Sequence, residues 1–375
     1  MVGLVCLALV CLLALSPAVA QTTPADTAPI ILWSQGSLYQ VVNPQVPPSL
    51  LVQSGVISGV ALSPDGSRLA YRAAAPVGIE ALGRLQTEGM IAEFDLPADI
   101  FILDLTTLSQ VQIAAQPDAP SLFVEGVADN ATVRSAPVWS PDGSALAWTQ
   151  MQFGAPVADL YRYQLDQAFT VLVPIAMPVV RGAAPELSWG AGGIAISAGA
   201  NTNGQQEFYI YTPDGALRSL VRLSPQEGES LERTTWVEDE NLSLFGALFS
   251  SGRWALFDPA SGLEVAVNGV PELYSLTAPE TSLGLRFAIS PDVGFYWETH
   301  DPMPSENASG AYPGSPWRVT LSPNGRAAAF LGYPTYTGAA IWRDDGSVTE
   351  LAGTGESGLN IGEIFWGATG WRVGE

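Results

Sequence analysis

The stretch Val138-Trp139-Ser140-Pro141-Asp142-Gly143-Ser144-Ala145-Leu146-Ala147-Trp148 decides the fold. An alternating strand enters, a tight turn follows and a second alternating strand leaves. In such a turn Pro presets φ at about −65°, Asp bonds back to the local backbone and Gly takes positive φ. The same unit stands at Ala61 to Tyr71 around Ser63-Pro64-Asp65-Gly66. Two looser copies are Ile289-Ser290-Pro291-Asp292 before Gly294-Phe295-Tyr296-Trp297, and Leu321-Ser322-Pro323-Asn324-Gly325 before Ala328-Ala329-Phe330. Three degenerate copies keep an aromatic, a turn and a second strand, at Trp189-Gly190, Trp236-Val237 and Trp366-Gly367. Asp65, Gly66, Asp142, Gly143, Asp292, Asn324 and Gly325 are therefore read as structural turn residues.

A second hairpin series interleaves with the first. Its best examples are Tyr209 to Leu217 around Asp214-Gly215 and Ile341 to Val348 around Asp345-Gly346. Others run from Ile100 to Ile113, Leu160 to Val173 and Trp254 to Val267. Two hairpins per unit make four strands, and four-stranded units recurring along a chain are the signature of a β-propeller. The positions before the turns (62, 139, 189, 236, 289, 321 and 366) fit seven blades. The span from 289 to 321 is short for four strands, which leaves six blades as the alternative. Residues 29–42 match the second hairpin series and 361–373 the first. The expected ring closes by pairing these two terminal half-blades, within one all-β domain over 29–375.

Residues 1–20 form an apolar run ending in Ala18-Val19-Ala20, the pattern of a cleaved secretory signal peptide, and 21–28 form a short linker. The n-region carries no positive charge, so retention as an anchor stays open. Both cysteines, Cys6 and Cys11, fall in that run, leaving no disulfide, thiol nucleophile or cysteine metal ligand beyond it. After it no apolar run is long enough to span a bilayer. The chain carries 37 acidic and 15 basic residues for a net charge of −22, and every base is arginine. That balance opposes nucleic acid and anionic membranes. The absence of lysine excludes Schiff-base chemistry and lysine phosphate clamps.

The Trp/Leu-Ser-Pro-Asp-Gly repeat followed by Leu-Ala-Tyr/Trp resembles the propeller repeat of TolB and its WD-like secreted relatives. The resemblance covers most of residues 29–373. It does not extend to the separate amino-terminal α/β domain that TolB carries. It implies a secreted or periplasmic propeller presenting a binding surface to a protein, peptide or glycan.

Strand alternation assigns the two ends of such a molecule. The connections between first and second strands, and between third and fourth, lie on one end and read as tight turns throughout. The long connections 73–98, 114–136, 223–233, 268–284, 299–317 and 332–338 lie on the other, where long loops carry function. Within the first of them, 79–95 reads as a short helix, with Ile79, Leu82, Leu85, Met90, Ile91 and Phe94 on its apolar side. Candidate binding residues on this end are His300, Asp301, Trp317, Tyr333 and Tyr336. His300 is the one histidine, so no histidine metal cluster is possible, and neither a metal nor a cofactor is expected. Gly353-Thr354-Gly355-Glu356-Ser357-Gly358 has dinucleotide spacing but lies between strands and carries Glu356, so it reads as a flexible connection. No Gly-x-Ser-x-Gly elbow occurs. The leading expectation is a non-catalytic, monomeric binding module. The alternative is a carbohydrate-active hydrolase or lyase using a carboxylate pair at the mouth.

Overall fold

The structure, a computed structural model, describes residues 30–373 except 55, 90–94, 180–182, 239–242, 252, 266–284, 291–293, 300–317, 323–326, 333–334, 336, 344–346, 357 and 368–371. Residues 1–29 and 374–375, and with them the expected signal peptide and linker, also lie outside the described residues.

Among the described residues the chain forms seven antiparallel sheets. Sheet 1 runs in order Ile57–Leu62, Arg68–Ala74, Ala98–Asp104, Gln110–Ala114. In sheet 2 the first position is shared by Thr132–Arg134 and Val138–Trp139, both paired with Ala145–Gln152, and Val157–Gln164 and Phe169–Pro178 follow. Sheet 3 is Leu187–Gly190, Gly193–Ala200, Gln206–Tyr211, Leu217–Leu223. Sheet 4 comprises Leu231–Glu238, Ser243–Phe249 and Trp254–Phe257. Sheet 5 is the hairpin Leu285–Ser290 with Gly294–Thr299. Sheet 6 holds Arg318–Leu321, Ala327–Leu331, Ala339–Arg343 and Val348–Glu350 in order. In sheet 7, Ile361–Trp366 pairs with Ile30–Ser34, which is followed by Ser37–Val41 and Ser49–Val52.

The repeat turns work as their chemistry dictates. At Asp142 one carboxylate oxygen accepts from Ser140 Oγ at 2.6 Å, from the Ser144 amide at 3.0 Å and from Ser144 Oγ at 2.8 Å. The Ala145 amide donates to Ser140 Oγ at 2.9 Å, so Ser140 staples both ends of the turn, and Gly143 takes φ +70°. Ser63, Asp65, Gly66 and Ser67 repeat this bond for bond. Ser322 accepts from the Ala327 amide at 3.0 Å in the same way, while Asp292, Asn324 and Gly325 lie outside the described residues.

Neighbouring sheets lock through a recurring contact in which the third connection of one sheet packs on the last strand of the sheet before it. Leu105 joins Leu51 and Val52 in one apolar cluster, and Leu165 joins Ile113 in another. Gly215 sits against Val173, and Gly262 against the backbone of Leu220, where any Cβ would strike the Leu220 carbonyl at 2.6 Å. The Ala352 amide donates to the Pro44 carbonyl at 2.8 Å. These contacts order the sheets 6, 7, 1, 2, 3, 4. The first strands of neighbouring sheets also meet, as where Trp139 Nε1 donates to the Ala61 carbonyl at 3.0 Å.

Three expectations are corrected. The ends of the chain meet, Ile30 standing opposite Trp366, but they contribute three strands and one rather than two and two. Gln35 and Gly36, both at positive φ, make a two-residue hairpin turn, and Asn43 starts a loop that brings back Ser49–Val52 as a third strand. One carboxy-terminal strand then completes the sheet, and Arg372–Val373 pairs instead with Arg318–Leu321 of sheet 6. The connection 42–48 is accordingly not a tight turn.

The helix α1 spans Pro76–Thr87, starting before the expected 79 because Pro76 is pre-set for the first helical position. It buries Gly78 and Ala81 against Pro97 and against Leu122 and Ala131, while Ile79 is exposed. Small side chains win the inner face because Pro97 lies too close for a larger one. Finally, the connection 353–359 is a hydrogen-bonded loop, with the Leu359 amide donating to the Gly353 carbonyl at 2.8 Å.

Candidate functional site

The first strands of sheets 1 to 4 surround a cavity of about 570 Å³. Its walls carry apolar and aromatic residues, including Val60, Val138, Leu187, Trp189, Phe208 and Trp236, beside the hydroxyl residues Ser140, Ser188, Ser197, Thr234 and Thr235. Glu186 is the one charged side chain among the described lining residues.

The local build starts at Gly59. Its φ of +68° forms a bulge between Ser58 and Val60, and a Cβ there would come within 2.5 Å of the Ala136 Cβ. Glycine therefore lets the first strands of sheets 1 and 2 touch. That approach puts Arg72 in reach of three groups. Its Nε donates to Ser58 Oγ at 3.1 Å, its Nη1 donates to the Arg134 carbonyl at 2.8 Å, and Nη1 lies 3.9 Å from Asp95 Oδ2. From sheet 3, Glu186 reaches back and accepts a hydrogen bond from the Ala136 amide. Ser58, Arg72, Ala136 and Glu186 thus form a polar crossing over three sheets at one end of the cavity.

Burial pushes the Glu186 carboxyl above the ordinary carboxylate range; Arg72 works against that shift and Asp95 reinforces it. Glu186 is crowded by protein atoms yet its surface remains open. Both hold because it lines the cavity, with protein atoms around a carboxylate that still reaches solvent.

Beneath the crossing, Arg134 is buried in a donor-saturated nest. Its Nε donates to Gln150 Oε1 at 2.7 Å, Nη2 to the Ala115 carbonyl at 2.7 Å, and Nη1 to the Ala98 carbonyl, with Asp99 Oδ1 3.6 Å away. Burial brings its pKa down to about 10, opposed by the Asp99 charge. Desolvation raises the Asp99 carboxyl, against bonds donated by Gln116 and Gln112. Each guanidinium nitrogen has an acceptor, which is what a buried cation requires. The role of this nest is to hold the backbone carbonyl of Arg134 where Arg72 meets it.

His300, Asp301, Trp317 and Tyr336 lie outside the described residues, as does Tyr333. Of the expected long connections, 75–97 carries α1, and 115–131 is tied to it by Arg84 Nη2 donating to the Leu122 carbonyl at 2.7 Å. Ile79, Phe123, Val124 and Val127 stand exposed on these two segments. The crossing of Arg72, Asp95 and Glu186 was not anticipated from the sequence. A signal existed: the third residue before the pre-turn positions 189, 236, 289, 321 and 366 is Glu186, Arg233, Arg286, Arg318 and Glu363. Aligning the repeats exposes a position that is charged in five of the seven copies.

No family model matches the chain, and no curated protein matches it. It is similar to solved β-propeller structures. TolB from Acinetobacter baumannii aligns with a TM-score of 0.43 and 15% identity, over 91% of this chain and 66% of that one. The β-propeller domain of Cps50 (Swd1) from Myceliophteria thermophila aligns with a TM-score of 0.40 and 14% identity, over 84% and 91%. Dipeptidyl peptidase 4 from Porphyromonas gingivalis aligns with a TM-score of 0.37 and 14% identity, over 86% and 48%. The chain spans about half of that peptidase and just under two thirds of TolB.

Proposed function

We propose that the chain is a non-catalytic, seven-bladed propeller, exported by its amino-terminal segment to a secreted or periplasmic location. Its long-connection end binds a protein, peptide or glycan. The ring closes through sheet 7, where the two ends of the chain pair. Supporting the count are seven sheets, six of which follow one another in consecutive order through five contacts.

The observation that carries the binding reading is the asymmetry of the two ends. On one, connections such as 63–67, 140–144 and 212–216 are closed by their own hydrogen bonds and project little. On the other stand α1 and the 115–131 segment, carrying four exposed apolar side chains, beside the end of the cavity where Glu186 sits. Ordering long connections costs entropy that tight turns avoid, and loops held on a rigid frame are where binding residues concentrate. Trp317, Tyr333, Tyr336, His300 and Asp301 extend the proposed surface. No helix among the described residues is long and apolar enough to cross a membrane.

The test is capture of a partner from the native envelope and extracellular fractions by the immobilised protein. The Ile79→Glu, Val127→Glu and Trp317→Ala, Tyr333→Ala double variants should lose it. Leu217→Glu, next to the turn at Asp214-Gly215, should keep it. Capture abolished by Leu217→Glu and spared by both double variants would place the site at the opposite end and overturn the reading.

A further inference from the structure

We propose that the cavity between the first strands of sheets 1 to 4 binds a ligand carrying one protonated amine on an apolar stem, the amine paired with Glu186 and the stem laid against Trp189, Phe208 and Trp236. The inference deepens the reading of the long-connection end as the binding end. The walls supply the argument. Glu186 is the one charged side chain on a wall rich in aromatic rings, and the natural complement of that wall is one positive charge whose remaining surface is hydrophobic. Tryptophan faces add attraction for an ammonium group.

Other ligand chemistries fit less well. A calcium ion takes roughly six to eight oxygen ligands, whereas the described wall offers one carboxylate. An anion meets Glu186, with Asp95 behind it, on a chain of net charge −22. A neutral alcohol of the same length fills the cavity but leaves the carboxylate unpaired. Arg72 does not remove the need, because its guanidinium is shared among Ser58, the Arg134 carbonyl and Asp95. Arg72 in sheet 1 and Asp95 in the connection that follows it are the charged groups that face Glu186. The cavity is large enough for a six-carbon chain, and no covalent step is involved.

Calorimetric titration of the full chain with hexylamine, hexan-1-ol and hexanoate tests this on the wild-type protein. Hexylamine should bind at neutral pH at least about tenfold more tightly than hexanol, and hexanoate should not bind. Glu186→Gln should bring hexylamine to the level of hexanol. Because the Glu186 carboxyl is raised, amine affinity should fall as pH drops through that raised range, while hexanol affinity stays flat. Nα-acetyl-lysine amide, tested beside hexylamine, distinguishes a lysine side chain of a polypeptide from a free alkylamine as the source. Equal affinity for amine and alcohol, unchanged amine binding in Glu186→Gln, or no amine binding up to about 10 mM would overturn the proposal. Amine binding that persists in Ile79→Glu, Val127→Glu while partner capture is lost separates this site from the surface reading. Capture that persists while the amine fails sinks only the cavity.

Discussion

Replacing Gly59 with Ala puts the close approach of sheets 1 and 2 under direct strain. Two costs add. Gly59 sits at φ +68°, and a left-handed conformation costs a residue with a Cβ about 1–2 kcal/mol. The new Cβ also lands 2.5 Å from the Ala136 Cβ and 3.2 Å from its Cα, an overlap that backbone shifts relieve at about 1–3 kcal/mol. The expected loss is therefore about 2–5 kcal/mol, read as a lower urea midpoint at unchanged slope. Gly83 supplies the control. It lies in α1 with no atom within 4 Å of its virtual Cβ, so Gly83→Ala should stabilise by up to about 1 kcal/mol. A double-mutant cycle separates the two costs at Gly59. Against an Ala136→Gly background the struck methyl is gone, so Gly59→Ala should then cost only the conformational part. A Gly59→Ala protein within about 0.5 kcal/mol of wild type would refute the reasoning, as would an equal penalty in both backgrounds.

Two further outcomes follow from the turns and the ends of the chain. Asp142→Ala removes the acceptor of three hydrogen bonds and should cost on the order of 2 kcal/mol by chemical denaturation. Bonds from Ser140 and Ser144 hold the Asp142 carboxyl below its ordinary value. Its contribution is thus present above the ordinary aspartate range and disappears as pH falls through the lowered folded value; Asp142→Asn should lack that acid dependence. Deleting residues 361–375 removes buried Ile361, Ile364, Phe365 and Trp366 at about 1.5–3 kcal/mol each, comparable to the whole stability of a domain. Cooperative thermal unfolding should vanish, and a truncated chain that melts as wild type would defeat the pairing of the two ends.

The sheets were legible in the sequence because their information is local. Ser140, Asp142, Gly143 and Ser144 build their turn from bonds spanning five residues or fewer, and identical bonds recur at Ser63 to Arg68. Alternation on either side then sets the strands, and repetition sets the architecture. The same locality misled at the ends of the chain, where hairpin likeness suggested equal halves. Whether Ile30–Ser34 pairs on one edge or two depends on what stands beside it, and that is decided by Ile361–Trp366 and Ser49–Val52 together.

The cavity lay beyond local reading altogether. Arg72 stands in a strand of sheet 1, Ala136 between the two short strands of sheet 2 and Glu186 just before the first strand of sheet 3, and each looks unremarkable in its own segment. What joins them is a glycine bulge at position 59 whose purpose is visible only once the Ala136 methyl is seen against it. The residue types that make turns act on their immediate neighbours through covalently fixed geometry. The Glu186 carboxylate instead acquires its character from the protein atoms and charges that packing brings to it from distant parts of the chain, so only the tertiary structure could reveal it.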